Sequence, residues 1–334
     1  MSLRGRSRVR LARPGWFTVL VVALALVASA CFAPGGPAVH RDLAGNPTSR
    51  DAFAWPFASS SPWNTPIGTG AQYSAPGDLR TQELVNTPAG INAAIWSTPV
   101  VQASMGDPVR TLFANDTVQL HVPASATPAG PPGGDATLAV VDPGRQLIDE
   151  SWRTAWAYGN LVARFHRRVD LRGDGLQGVT AAGMSSIGGL IRTWEIQDHD
   201  IRHALQLAMP AGTLASGPVW PARAEDGFAA SAYRGAVHMG SLVAIPPSVS
   251  IPSLGLSPEG TAIAYALQRY GAYVVNAAGQ MNLYAEPSAD PWLGSARADM
   301  RRIQAQLRVV TNNGPFSVGG GGTPLAPPAP PFYD

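Results

Sequence analysis

The chain has no lysine, one cysteine and few charges of either sign. All 24 of its basic residues are arginine, and charged residues make up 14 % of its 334 positions. Five of the arginines (Arg4, Arg6, Arg8, Arg10 and Arg13) precede Trp16, so the formal net charge of +2 becomes acidic once they are set aside. Without a basic field, the remainder has nothing to attract nucleic acid. A lone cysteine excludes an intrachain disulfide, so the fold must rest on its apolar core. No Walker loop, Rossmann glycine fingerprint or HExxH pair occurs, which removes nucleotide-cofactor and zincin readings. The run Gly183-Met184-Ser185-Ser186-Ile187 fails as a nucleophile elbow, because Ile187 stands where a second glycine is required.

What the chain does have is apolar residues, at 45 %, enough for a sizeable globular core. A basic start, an apolar run from Trp16 to Ala30 and the small residues Val27-Ala28-Ser29-Ala30 before Cys31 have the layout of a signal peptide over 1–30. Small residues directly ahead of one cysteine also suit lipid attachment, so Cys31 is expected to carry the lipid that holds the protein to a membrane. Stable tethering then needs more than one acyl chain. Two alternatives stay open: ordinary cleavage after Ala28-Ser29-Ala30 with soluble secretion, and an uncut anchor, for which the apolar run is short. Each places the remainder outside the cytoplasm.

Residues 31–52 are rich in Pro, Gly and Ala and are expected to form a lipidated cysteine plus flexible tether. The stretch 311–334, with its glycine and proline runs, is expected to be a disordered tail, leaving 53–310 as the globular domain. Within it, short alternating or apolar runs recur between Gly/Pro/Asp clusters, among them 117–122, 137–141, 146–152, 161–171, 201–209, 241–245, 272–276 and 281–285. This pattern predicts a mainly-β fold, a single jelly-roll-like β-sandwich with a few covering helices. The clearest helix begins with Ser257 as N-cap and Pro258 as first helical residue, and closes at Gly271. Two more are expected near 295–307 and 78–86.

The densest ionisable tract is Glu195 to His203. On one continuous helix Glu195, His199 and His203 would align as metal ligands, but the alternation after Ile201 is strand-like and breaks that register. No metal is therefore expected, and no cofactor. His203 instead stands among apolar neighbours, where an imidazole must find a partner or line a cleft. Asp170-Leu171-Arg172-Gly173-Asp174-Gly175 lacks the ligands of a calcium loop and reads as a turn. Tryptophans flanked by polar residues (Trp63-Asn64, Trp152-Arg153, Trp194-Glu195, Trp220-Pro221-Ala222-Arg223) suit stacking on a sugar face beside hydrogen-bonding groups.

Six segments, in order, carry a family resemblance: SPWNTPIG (61–68), LAVVDPGRQLIDESW (138–152), VDLRGDGLQGVTAAGMSSIGGLIRTWEI (169–196), IRHALQLAM (201–209), VWPAR (219–223) and GLSPEGTAIAYALQRYGAYVVNAAG (255–279). Together they resemble a family of secreted and lipoprotein actinobacterial proteins of unassigned activity. The resemblance implies one extracytoplasmic domain and supplies no reaction. Ala224 stands where the family pattern has histidine, which weakens a metal or acid–base role there. The combined expectation is a lipoprotein acting on, or at, an extracellular or cell-envelope polysaccharide, with hydrolase and lyase chemistry both open. The alternative is a non-catalytic carbohydrate-binding or envelope-structural lipoprotein. The expected catalytic residues are His203 and Arg223 with Glu150, Asp170 and His238 as partners; Trp220, Trp63 and Asn64 would bind substrate.

Overall fold

The computed structural model describes residues 38–130 and 134–333; the expected leader and lipid-bearing Cys31 lie outside them. Among the described residues no helix is long and apolar enough to cross a membrane. The fold is mainly β, but its strands are divided among five sheets. Among the described residues the strands form several sheets where one sandwich was expected, and the largest sheet mixes parallel and antiparallel pairs.

That six-stranded sheet runs in the order Arg308–Val309, Leu242–Ala244, Ala272–Ala278, Leu205–Pro210, Met281–Tyr284 and Ala89–Asn92. Its central strand, Leu205–Pro210, is buried along nearly its whole length and is bracketed by two strands that follow each other in sequence. The pairing carries a bulge: Leu207 faces Val274, but Ala208 faces Asn276. The extra residue on the longer strand re-aims Asn276. Helices Pro258–Arg269 and Gly294–Gln304 pack on each other, and the first also contacts the sheet strand Leu242–Ala244. Ser257 caps the first, its hydroxyl accepting from the Gly260 amide at 3.0 Å. Gly271 follows the helix with φ of +78°, a region costly for any residue with a Cβ.

A second, four-stranded sheet (Phe165–Asp170, Leu147–Trp152, Leu138–Val141, Val100–Gln102) is shared by two cores. Leu138 and Val140 face a small core with Leu112, Leu120 and Leu161, while Ala139 and Val141 face the large one. Because side chains alternate along a strand, a sheet covered on both faces reads as one continuous apolar run, as LAVV does. The small core is closed by a third sheet, Thr117–His121, Val109–Phe113, Asn160–Val162 and Ala155–Ala157.

Both ends of the described chain are more ordered than their composition suggests. In place of a tether up to residue 52, Val39–Arg41 and Pro47–Arg50 form an antiparallel hairpin. Arg50 is fully buried; its guanidinium donates to the carbonyls of Trp55, Pro56, Phe57 and Pro330 and lies 3.9 Å from the Phe332 ring centroid. In place of a disordered tail, 311–333 runs along the body through backbone bonds such as Gly68 N to Gly319 O (3.0 Å) and Leu325 N to Ile67 O (2.8 Å). A Cβ on Gly68 would stand 2.0 Å from the Gly321 carbonyl oxygen, so the two backbones meet this closely only because position 68 is glycine.

Candidate functional site

The residues expected to act together are apart. His203 is only 5 % exposed: Nε2 lies 2.9 Å from Glu195 Oε1 and Nδ1 lies 2.9 Å from the Ala204 carbonyl. Both ring nitrogens face acceptors, and the carboxylate and carbonyl hold the imidazole above its ordinary value although burial opposes this. Beside it, buried Arg192 pairs with Glu286 (2.8 Å). This is a closed ionic network rather than a cleft. The helix Thr193–Asp198 supplies Glu195, and His199 ends it in a left-handed conformation that turns the chain back toward the network. The i, i+8 alignment of one long helix is thereby lost, yet Glu195 and His203 still meet.

Trp63 and Asn64 are also structural. The Trp63 indole donates to the Gly175 carbonyl (3.1 Å) and stands edge-on to Tyr273; Asn64 accepts from Trp55 Nε1 (2.7 Å) and donates to backbone carbonyls of 56–58. Asp170 is exposed and accepts from the Arg172 amide at 2.8 Å, closing a turn. His238 Nδ1 lies 2.6 Å from the Gly217 carbonyl. Trp220 is half-buried and Arg223 exposed, the Arg223 amide donating to the Ala182 carbonyl (3.0 Å). None of these lines the cavity of about 340 Å³ walled by Trp96, Trp152 and Tyr284, nor does Glu150.

That cavity, of about 340 Å³, opens where the two-core sheet meets the large one. Trp96, Trp152, Phe165 and Tyr284 supply its aromatic surface; Asp135, Glu225 and Asp226 supply carboxylates, and Arg164 a guanidinium. The bulged strand presents Asn276, which accepts from the Ala181 amide (2.9 Å) and donates to Tyr284 Oη (3.3 Å). Trp152 Nε1 donates to Asp135 Oδ1 at 3.0 Å. Asp226 accepts from Tyr233 Oη at 2.6 Å. Burial raises the Asp226 carboxyl, the Tyr233 and Ala277 donors lower it, and the charges of Asp135 and Glu225 push it further up; the net direction is upward. Burial likewise pushes the Tyr284 phenol up to about 12, keeping it neutral.

Glu150 acts one layer behind the wall. It is wholly buried, and its carboxylate accepts from the Ser186 amide (2.9 Å), the Val179 amide (3.3 Å) and Ser185 Oγ. Those bonds pin the loop 179–186, whose Val179, Thr180, Ala181 and Ser186 line the cavity. Burial dominates and holds the Glu150 carboxyl above its ordinary range. Three non-glycine residues with positive φ also border the site: Trp96 (+59°), Ala136 (+39°) and Arg153 (+54°). Such backbone costs on the order of 1–3 kcal/mol per residue and clusters where function constrains the chain.

The reading of the sequence passed over Asp135, Glu225 and Asp226. Glu225-Asp226-Gly227 follows Arg223 by one residue and looks like a solvated turn; its nearness to the VWPAR segment was the available signal. Asp135 sits in a Gly/Pro-rich connection with no pattern of its own. Among the described residues, no three His, Cys, Asp or Glu side chains are grouped to hold a metal ion. Comparison with family models, with curated proteins and with solved structures finds no match for the chain.

Proposed function

We propose that this chain is an extracytoplasmic lipoprotein, tethered through lipid on Cys31, whose cleft binds a polysaccharide and hydrolyses it. The observation that carries the reading is Asp226, a carboxyl whose proton affinity burial raises, sharing with Asp135 a cleft walled by aromatic rings. Glycoside hydrolysis needs one carboxyl that gives a proton to the leaving oxygen and one carboxylate that stays charged. Asp226 has the character of the first. Asp135, oriented by the Trp152 indole, has that of the second. Trp96, Trp152 and Phe165 offer faces on which a sugar ring stacks its C–H surface, and Asn276 and Gln206 offer amides for its hydroxyls.

The test is Asp226→Asn, with the full chain assayed against a panel of envelope polysaccharides. General-acid loss lowers kcat/KM about 10²-fold or more, with glycan binding retained, and removes the alkaline limb of the pH profile. In the unmutated chain that limb lies above the ordinary aspartate value of 3.8, because activity falls as pH rises through the raised Asp226 value. Undiminished turnover by D226N would overturn the assignment. Binding without turnover by the unmutated chain would make the protein a carbohydrate-binding lipoprotein instead. The address has its own test: Cys31→Ser releases the domain from the membrane fraction without unfolding it.

A further inference from the structure

We infer that the glycan taken by this cleft carries protonated amines, as a de-N-acetylated amino sugar does; the inference rests on the polysaccharide reading above and names its substrate class. The cleft holds three acidic side chains, Asp226 as the proton donor beside Asp135 and Glu225, and among the described residues none of them is in an ion pair. Their partners are neutral donors: the Trp152 indole for Asp135, the Gly217 amide for Glu225 (2.8 Å) and the Tyr233 hydroxyl for Asp226. One residue that lines the cavity, Arg164, carries a positive charge. The excess negative field draws in a cation and repels a uronate or sulfated chain.

The aromatic surface points the same way. A cation gains most where a ring face and a carboxylate are both in reach. Trp152 shows this within the protein itself: it donates to Asp135, and the Arg153 guanidinium carbon stands 4.7 Å from its ring centroid. Trp96 and Tyr284 offer further rings around the same space. At the wall, Ser186 is 3 % exposed with its Oγ close to the Glu150 carboxylate, and Gln206 Nε2 donates to the Ser186 carbonyl (2.8 Å).

The experiment is calorimetric titration of the full chain with a glucosamine tetramer, its fully N-acetylated counterpart and an oligouronide, at a pH where the amine is protonated. The expected result is that the free-amine tetramer binds at least about tenfold tighter than the acetylated one, the equivalent of about 1.4 kcal/mol. That preference shrinks as salt rises from about 0.05 to 0.5 M. It also shrinks in Glu225→Gln, whose thermal midpoint is measured alongside to show that it folds. Equal affinity for the two tetramers, or preference for the oligouronide, would overturn the charge inference and leave the polysaccharide reading standing. Failure of every glycan to bind would overturn both.

Discussion

Glu195 and Asp226 are both carboxyl groups drawn away from bulk water, but the protein satisfies them in different ways. Glu195 meets the His203 imidazole at 2.9 Å and raises its proton affinity, inside a network that also pairs Arg192 with Glu286. Every charge there has its opposite, and no space is left for a ligand beyond a void of about 10 Å³. Asp226 meets a phenol and two other carboxylates, on the wall of a cavity of about 340 Å³. The first arrangement is complete and makes the structure. The second is uncompensated: burial, and then the charges of Asp135 and Glu225, raise its proton affinity against its two donors. Burial of an ionisable group alone does not distinguish a site; the missing partner does.

The largest effect that could break this contrast is His203→Ala. It leaves Glu195 buried without its imidazole partner and should lower the unfolding free energy by about 3–5 kcal/mol, read by denaturant titration. Glycan affinity of the folded fraction should stay as it was; a lost affinity with unchanged stability would return His203 to the functional site. Next comes Glu150→Ala, which orphans two backbone amides and the Ser185 hydroxyl. A destabilisation of about 2–3 kcal/mol is expected, together with weaker glycan binding, because the loop 179–186 forms the cleft wall. Stability loss without any change in binding would show that the clamp and the cleft are independent. Trp96→Ala acts on the cleft alone: Trp96 is 41 % exposed, so stability should hold while glycan affinity drops roughly fivefold, about 1 kcal/mol.

The smallest effect is the pH response. His203 and His166 both have raised values, His166 because Asp149 and Asp116, each at 2.8 Å, outweigh its burial. Stability from a raised histidine is fully present below its unfolded value, near 6.5, and is lost as pH rises through the folded one. Glu286 runs the other way. Burial is the largest influence on it, yet Arg192 and the Thr193 donors outweigh burial and hold it low, so its contribution is present above the ordinary 4.5 and lost as pH falls through the lowered value. Unfolding midpoints should therefore decline on both sides of a plateau bounded by these groups. In Glu195→Gln the alkaline decline should flatten, and an unaltered decline would remove the Glu195–His203 pair as its source.

Much of the local structure was legible. The Ser257-Pro258 start gave the helix Pro258–Arg269, and the apolar runs at 138–141, 147–152 and 281–284 are strands. The candidate site was not legible in the same way. His203 stood out because an imidazole among apolar residues needs a partner, and it found one eight positions back. Trp63 and Asn64 stood out as a polar-flanked aromatic, and both are consumed in tying 56–64 to the core. The tail 311–333 was misread because glycine-rich sequence signals freedom, whereas here the lack of Cβ atoms is what lets two backbones pair.

The sequence by itself determined what short-range physics controls: helix caps, the alternation of strands, and the absence of a basic field or disulfide. Only the tertiary structure decided which charges are answered. Asp135 and Asp226 come from segments about 90 positions apart along the chain, and Trp96 and Tyr284 from segments further apart still. Each looks like an ordinary surface residue until four separate stretches of chain close around one space. Whether a carboxylate becomes structural or reactive depends on what packs against it, and that is fixed by long-range packing that no local pattern encodes.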